Sequence, residues 1–469
     1  MKYISSRGEA SGLSFDDVLL AGLARDGGLF VPQSWPRFSK DDIRALEGLS
    51  YADVAARVMA PYLGGCMDGD DFAAMTAETY KDFDHPDVAP LKKLDEKGDL
   101  WLMELFHGPT LAFKDYALQL VGRLFDHVLK KRGQRLTIVG ATSGDTGSAA
   151  IEACRDRDSL EVFILHPKGR VSDVQRRQMT CVASANIHNL AVEGNFDDCQ
   201  NMVKALFNDE VFRDRYNLGA VNSINWARIM AQIAYYFVAA AKVGAARGGV
   251  TPVSFAVPTG NFGNIFAGYA AREMGLEINR LVIGSNRNDI LYRFIQTGKM
   301  ETSAVRPTLS PSMDIQISSN FERLLFDLLG RDGAKVTALM KQFAETGRFE
   351  VEKEPLNALR ALFTGYRFGD QETKAEIKAV YEETGALLDP HSAVGAAAAK
   401  AALKKEGGAP MIALATAHPA KFPDAVEEAA GIRPGLPPHL ADLLEREERF
   451  DDLPNDLDAI RGYISGKLA

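Results

Sequence analysis

The stretch Gly108-Pro109-Thr110-Leu111-Ala112-Phe113-Lys114-Asp115 places a lysine among apolar residues. Apolar residues then recur at spacings of three and four from Ala117 to Leu129, which predicts the buried face of a helix that ends near Lys131. Lys114 would lie at the start of this helix, where burial and the positive end of the helix dipole both lower the pKa of its amine. Such a lysine suits Schiff-base chemistry. Most lysines with apolar neighbours instead extend their amine into solvent, so this stretch alone does not assign a catalytic role.

A group of polar residues follows the predicted strand at 135–141. In an open parallel sheet, ligands bind beyond the carboxyl ends of the strands. Hydroxyls, a glycine and the free amides of a helix start suit an anion such as a carboxylate. A simple helix cap by Asp145 or Thr146 is the alternative, although a cap needs only one such residue. The candidate ligands of this anion are Thr142, Ser143, Gly144, Asp145 and Thr146.

A loop with two glycines follows the predicted strand at 253–257. The glycines let backbone amides turn toward a phosphate at the start of the next helix. The loop is neither a Walker loop nor a complete dinucleotide fingerprint, and a structural turn is the alternative. The candidate phosphate ligands are Thr259, Gly260, Asn261, Phe262, Gly263 and Asn264.

A third loop precedes the helix predicted from about residue 225, and Arg228 would lie one turn inside that helix. Arginine binds phosphate oxygens in a bidentate manner, so this loop could hold a second anion. A helix cap plus a surface arginine is the plainer interpretation. The polar side chains that would join Arg228 are Asn222, Ser223 and Asn225.

Thr416 follows the predicted strand at 410–415 and offers a hydroxyl to a heterocyclic nitrogen, with a plain turn as the alternative. An activated lysine, a phosphate loop, a carboxylate loop and a second anion loop together fit pyridoxal phosphate and an amino acid that itself carries a phosphate. No single loop is specific for this pair of ligands, whereas the combination is.

The composition of the chain argues against several classes of function. The chain has 469 residues, 46% hydrophobic and 25% charged, as is usual for a globular protein. A net charge of −9 argues against general binding of nucleic acid or of anionic membranes. The four cysteines lack metal-ligand spacing, so we expect reduced thiols and no metal. The first residues lack an apolar signal core, and the apolar run 229–246 contains Gln232 and Lys242, which predicts a buried helix and a cytoplasmic protein.

Short apolar strands alternate with helices from about residue 100, which predicts βαβ units and an α/β fold with two mainly parallel sheets. The predicted strands are 135–141, 162–166, 187–192, 219–222, 253–257, 281–284 and 410–415. The predicted helices are 146–155, 172–181, 196–207, 226–243, 265–274, 290–297 and 392–403. We expect an N-terminal domain at 1–95, a cofactor-binding core at 96–320 with a smaller subdomain at 111–245, a helical insertion at 321–385, and a segment 386–469 that completes the core.

Several motifs resemble the threonine synthase family, in its bacterial and fungal subgroup. The resemblance runs from near residue 3 to about 423, and several motifs are long enough to make chance matches rare. The matching segments are 14–17, 21–32, 104–110, 113–115, 143–147, 258–264, 312–314, 319–323 and 416–422. It implies the tryptophan-synthase-β-like fold of the fold type II pyridoxal-phosphate enzymes, and conversion of O-phospho-L-homoserine and water to L-threonine and phosphate.

The resemblance also implies residue roles. Lys114, with Phe113 beside it, would bind pyridoxal 5'-phosphate covalently, the 259–264 loop would hold its phosphate, and Thr416 would face its ring nitrogen. The 143–146 loop would take the substrate carboxylate, and the 222–228 group the substrate phosphate. Many relatives of this fold type carry Asn where Asp145 stands, which leaves the contact to the cofactor's 3-oxygen open.

Two other functions remain open at this point. The same residues could serve a threonine-synthase-like phospholyase that releases 2-oxobutyrate. A non-catalytic sensor of amino acids or phosphate on the same scaffold is the other alternative, against which Lys114 argues. We expect a monomer rather than a dimer.

Overall fold

The computed structural model describes residues 1–96 and 99–468. The strands are β1 (Tyr3–Ser5), β2 (Ser11–Leu13), β3 (Phe30–Pro32), β4 (Leu91–Lys93), β5 (Leu100–Glu104), β6 (Leu136–Ala141), β7 (Leu160–Pro167), β8 (Ile187–Val192), β9 (Leu218–Gly219), β10 (Val253–Pro258), β11 (Ile278–Ser285), β12 (Lys299–Glu301), β13 (Arg348–Glu350), β14 (Phe363–Arg367), β15 (Met411–Ala415) and β16 (Asp451–Leu453). The helices are α1 (Phe15–Ala21), α2 (Lys40–Arg44), α3 (Tyr51–Leu63), α4 (Gly69–Tyr80), α5 (Lys114–Arg132), α6 (Asp145–Cys154), α7 (Asp173–Thr180), α8 (Phe196–Asn208), α9 (Glu210–Arg215), α10 (Trp226–Ala246), α11 (Gly263–Glu273), α12 (Ile290–Thr297), α13 (Phe321–Leu328), α14 (Gly333–Thr346), α15 (Lys353–Leu362), α16 (Asp370–Thr384), α17 (Pro390–Glu406), α18 (Pro423–Ala430) and α19 (Leu457–Lys467).

The N-terminal part combines a small antiparallel sheet, in the order β2-β1-β3, with four helices. Three of these helices begin at serine caps, Ser14, Ser39 and Ser50, whose hydroxyls accept the amide three residues further on.

The larger sheet has the order β14-β11-β10-β15-β5-β4, and every pair is parallel except β4 with β5. Strands β10, β15 and β5 are buried along their whole length. This burial is expected for parallel strands covered on both faces. Helix α17 packs on β10, β11 and β15, and α11 packs on β10 and β11.

The smaller sheet has the order β16-β8-β7-β6-β9, with all pairs parallel. The prediction of two parallel sheets is therefore confirmed. The loop before α5 follows β5, and the loop before α6 follows β6, so the helices that start at Lys114 and Asp145 come from different sheets.

Among the strands that the sequence did not predict, two change the expected division of the chain. The region 321–385 was expected to contain helices alone, and this is wrong, because β14 pairs in parallel with β11 from Leu281↔Phe363 to Ser285↔Arg367. As a short edge strand, β14 lacks a long apolar run. The C-terminal segment 386–469 also divides between the sheets, since β16 (Asp-Asp-Leu) pairs with β8 of the smaller sheet. Only β15 of this segment joins the larger sheet.

Helix α10 is the central helix of the molecule and packs against α3, α5 and α11. By length and composition it is the one described helix that could span a membrane, but 83% of its apolar window is buried inside the protein. That burial is typical of a core helix, as the sequence predicts.

Candidate active site

Lys114 is the first residue of α5, and only 8% of it is exposed. Its Nζ atom donates a hydrogen bond to Oδ2 of Asp145 at 3.1 Å. Burial lowers the pKa of Lys114, Asp145 opposes this shift, and the positive charges of Lys421 and Arg228 add to it. The predicted position, a buried lysine at a helix start, is confirmed.

Asp145 is the first residue of α6, and its carboxylate lies between two buried lysines. Nζ of Lys421 lies 3.1 Å from its Oδ1 atom, and Gln175 Nε2 donates to the same oxygen at 2.8 Å. Burial alone would favour the neutral acid, but Lys114 and Lys421 hold the pKa of Asp145 well below its usual range. Asp145 is therefore an anion, and its charge repels a substrate carboxylate.

Lys421 is a buried site residue that our sequence reasoning did not select. It is fully buried in the turn after β15, where its Nζ donates to Thr110 O at 2.6 Å and to Gln178 Oε1 at 2.8 Å. The signal was present, because Ala420-Lys421-Phe422 lies between two prolines and gives Lys421 the same apolar neighbourhood as Lys114.

In the loop before α6, the side chain of Thr142 fixes the backbone conformation. Thr142 Oγ1 accepts the amides of Gly144 at 3.0 Å and Gly147 at 2.9 Å, so this hydroxyl shapes the loop. Gly144 has a φ of 138°, and a Cβ there would lie 2.6 Å from Gln175 Cδ. Ser143 is exposed and Thr146 is half-buried, so these two hydroxyls remain available to a ligand.

The loop before α11 presents backbone amides. The amides of Gly260, Asn261 and Phe262 donate to no acceptor among the residues described. Phe262 adopts the left-handed conformation with φ 65°, and the helix starts at Gly263. Consecutive free amides at a helix N-terminus form a binding site for a phosphate-type oxyanion.

Thr259 and Asn264 fix the two ends of this loop. The Thr259 hydroxyl donates to Val257 O at 2.7 Å. Asn264 Oδ1 accepts the hydroxyls of Tyr235 at 2.6 Å and Tyr236 at 2.9 Å, while its Nδ2 is buried without a partner among the described residues. Both side chains therefore anchor the loop, and Asn264 also has one amide group available for a ligand.

Arg228 lies in the first turn of α10, and only 4% of it is exposed. Its Nε and Nη1 atoms are buried and make no hydrogen bond within the described part of the chain. Burial lowers the pKa of Arg228 to about 10. Buried charged donors are normally paired, so this guanidinium points to an anionic ligand.

The polar residues near Arg228 divide into two groups. Asn225 caps α10, because its Oδ1 accepts the amide of Ala227 at 3.0 Å, and its Nδ2 donates to Leu19 O at 2.9 Å. Asn225 is thus used in the fold. Asn222 is half-buried and accepts an amide two residues further on at 3.3 Å, and Ser223 is half-buried as well. These two side chains are more accessible to a ligand.

Thr416 links the end of β15 to Phe113, the residue before Lys114. Its carbonyl accepts the amide of Phe113 at 2.9 Å, and its own amide donates to Ser392 Oγ at 2.9 Å. Its buried hydroxyl makes no hydrogen bond to the described residues. The hydroxyl is therefore free to donate to a ligand beside Lys114.

A chain of polar groups that the sequence did not reveal reaches Asp145. Asp389 caps α17 and accepts from His391 Nδ1 at 2.7 Å. His391 Nε2 accepts the amide of Ser312 at 3.2 Å, and Ser312 Oγ donates to Asp145 Oδ2 at 3.4 Å. The Asp-Pro-His run is a helix-start signal, but nothing local connects it to a loop 79 residues earlier.

The electrostatic balance of the cleft favours anions. Three buried cations, Lys114, Lys421 and Arg228, act on one another or on the carboxylate of Asp145, and Lys421 also acts on a second buried carboxylate, that of Asp115. A ligand with two phosphates and one carboxylate would complement these charges and the free amides at 260–262.

Three family models match nearly the whole chain. The model "Threonine synthase N terminus" matches residues 2–80, "Pyridoxal-phosphate dependent enzyme" matches 85–346, and "Threonine synthase, C-terminal" matches 392–464.

Similar proteins cover the chain from end to end. A threonine synthase of Pseudomonas aeruginosa is 55% identical over 99% of this chain and 98% of its own length. A crystal structure of PLP-bound threonine synthase from Brucella melitensis is 54% identical, covers 100% of this chain and 99% of its own, and has a TM-score of 0.96. The yeast threonine synthase structure is 39% identical, covers 100% of this chain and 98% of its own, with a TM-score of 0.94.

Proposed function

This chain belongs to the threonine synthase family, and from this membership we propose how its residues share the reaction. It converts O-phospho-L-homoserine and water to L-threonine and phosphate, the last step of threonine biosynthesis. It is a carbon–oxygen lyase that uses pyridoxal 5'-phosphate, which when bound supplies an electron sink for negative charge that develops on the substrate. The observation that carries our residue assignment is the buried Lys114 paired with Asp145 across two sheets.

The described residues fit this cofactor. The free amides of Gly260, Asn261 and Phe262 suit its phosphate, with Thr259, Gly263 and Asn264 holding the loop in shape. Lys114 would hold it covalently, and Thr416 would offer its hydroxyl to the ring nitrogen. A hydroxyl there would not keep the ring nitrogen protonated as a carboxylate would, so the electron sink would be weaker than in enzymes with an acidic partner.

Lys114 moves the protons of the reaction. Once the substrate's own amine has replaced it on the cofactor, the freed amine of Lys114 would act as a base at the substrate's Cα, and burial favours its neutral form by lowering its pKa. The same amine serves as acid and base at Cβ and Cγ. Asp145 stabilises the charged form of the amine between transfers, at the 3.1 Å distance seen here.

Arg228 binds the phosphate that leaves from Cγ. Its two unpartnered nitrogen atoms supply charged donors in a buried setting, where each hydrogen bond to a phosphate oxygen is strong. Asn222 and Ser223 assist it. Asn225 acts indirectly, because its side chain caps the helix that positions Arg228.

The loop at 142–146 binds the substrate carboxylate through a subset of its residues. Ser143 and Thr146 offer hydroxyls and amides, whereas Thr142 and Gly144 keep the loop in shape, because the amide of Gly144 already donates to the Thr142 hydroxyl. Asp145 is excluded as a direct ligand of the carboxylate by its own charge, and instead binds the amines of Lys114 and Lys421.

Product analysis tests the reaction. Incubation of the enzyme with O-phospho-L-homoserine is expected to yield L-threonine and phosphate in equal amounts. Release of 2-oxobutyrate in place of threonine would identify a phospholyase. Absence of turnover, with the amino acid bound unchanged, would identify a sensor.

We also propose that the chain works as a monomer in the cytoplasm, without nucleic-acid or membrane partners. Lys114, Arg228 and Thr416 all come from one chain, so the site needs no second copy. The net charge of −9 opposes binding to nucleic acid and to anionic lipid. Light scattering coupled to gel filtration gives the test, with a mass near 51.1 kDa expected.

A further inference from the structure

A cavity of about 240 Å³ lies between α5 and α6, away from Lys114. Gln119 and Arg123 line it from α5, and Glu152 and Arg155 line it from the end of α6. Arg123 is nine residues beyond Lys114, which corresponds to about 14 Å along the helix. The cavity is thus separate from the site described above.

On the α5 side of this cavity, one amide group has no acceptor and one guanidinium has no ion-pair partner among the described residues. Gln119 is 8% exposed, and its Nε2 atom is buried with no hydrogen-bond partner among the described residues. Arg123 donates only to the carbonyls of Gln119 and Glu78, both at 3.3 Å, and none of the described carboxylates lies within ion-pairing distance of it. Burial lowers the pKa of Arg123, and the charge of Arg157 adds to this effect.

The α6 side adds two more arginines. Arg157 also lines the cavity, and its closest carboxylate, that of Asp126, is 3.8 Å away. Arg155 pairs with Glu152 at 3.3 Å. Asp82 and Glu152 are the acidic residues of the described lining, so three guanidinium groups and one free amide face two carboxylates. The cavity has an excess of donors and of positive charge.

We propose that this cavity binds a small phosphate-type oxyanion between Gln119, Arg123 and Arg157. Several guanidinium donors with one amide suit a doubly charged ion with oxygens in several directions. The ion holds α5 to α6, the two helices whose first residues are Lys114 and Asp145. The helices touch closely beside the cavity, because a Cβ on Gly122 would lie 2.2 Å from Ala153 O.

Binding stoichiometry tests this site, with radiolabelled inorganic phosphate and cofactor-loaded enzyme in equilibrium dialysis. The wild-type chain is expected to bind two phosphates, one at Arg228 and one in the cavity. The Arg123→Gln/Arg157→Gln variant is expected to bind one and to retain full activity. The Arg228→Ala variant is expected to bind one phosphate, and the variant with all three substitutions is expected to bind none. Arg135→Gln, a change at an exposed arginine outside the cavity, is expected to bind two.

Other outcomes would overturn the proposal. If the double variant still binds as many phosphates as the wild type, the cavity is not a phosphate site. If only Arg228→Ala loses a phosphate, that phosphate belongs to the substrate site. If succinate at equal concentration displaces the second phosphate, the site is a carboxylate site and the phosphate class is wrong. Should the double variant fold poorly, Gln119→Leu provides the second test, with at least about fivefold weaker phosphate binding expected from loss of one donor.

Discussion

Nζ of Lys114 donates a hydrogen bond to Oδ2 of Asp145 at 3.1 Å, and both residues begin helices that follow strands of different sheets. A carboxylate at a helix N-terminus is favoured by the helix dipole, whereas an ammonium there is not. Asp145 therefore stays ionised with little loss of free energy, and the charge state of Lys114 depends on Asp145. The chemistry of the lysine thus depends on how the two sheets are placed.

Lys114→Ala is expected to abolish the visible absorbance of the bound cofactor and to lower turnover by at least about 10³-fold, because the covalent anchor and the proton-transfer group are both lost. Absorption spectra and threonine formation measure the two effects. Lys130→Ala on the exposed side of the same helix is the control, and it should match the wild type. A Lys114→Ala protein with unchanged absorbance would refute the assignment.

Asp145→Asn is expected to lower the pKa of Lys114 further, because the nearby negative charge that stabilises the ammonium is removed. The measurement is the pH dependence of reductive methylation of Lys114 in cofactor-free protein, followed by peptide mass spectrometry. Lys335, an exposed lysine in the same digest, serves as internal control. A midpoint that stays constant or rises contradicts the role of Asp145.

Arg228→Ala is expected to raise the KM for O-phospho-L-homoserine by roughly 30- to 100-fold, which corresponds to about 2–3 kcal/mol for charged hydrogen bonds. Cofactor affinity should change by less than about threefold. Initial rates and cofactor titration measure the two quantities. Arg135→Ala is the matched surface control, and equal losses in both quantities would place Arg228 outside the substrate site.

His107 is expected to make stability depend on pH. Although burial disfavours its charged form, Asp84 and Glu104 raise the pKa of His107 to about 9 from 6.5. The stabilisation is complete below pH 6.5 and is lost as the pH rises through about 9. Denaturant unfolding of wild type and His107→Gln should therefore differ most near pH 6 and converge above pH 9. A difference between wild type and His107→Gln that stays constant with pH would disprove the linkage.

Gly122→Ala is expected to destabilise the protein by about 1–3 kcal/mol, because the added Cβ would lie 2.2 Å from Ala153 O and would force α5 and α6 apart. Gly462→Ala in α19 has nothing within 4 Å of its added Cβ and should be stabilising by up to about 1 kcal/mol. Thermal unfolding of the two variants gives the comparison. Equal melting temperatures would show that α5 and α6 can separate without loss of stability.

The sequence by itself determined the α/β alternation, because runs of buried residues in strands and helices are local patterns. It placed Lys114 at a helix start, and it located the polar loops after β6, β10 and β15. It did not identify β14 and β16, since edge strands of three to five residues carry little apolar pattern and are defined by the strand beside them.

Only the tertiary structure decided which charged side chains contact each other. Asp145 contacts Lys114 and Lys421, although Lys421 is remote in sequence, because β5 and β15 are neighbours in the larger sheet and the placement of the smaller sheet brings the end of β6 to them. The structure also separated Arg228, whose donors are unpartnered, from Asn225, whose side chain is used in the fold. Burial and pairing depend on distant neighbours, and the physical reason is that electrostatic energy is set by distance in space, which spacing along the chain does not specify.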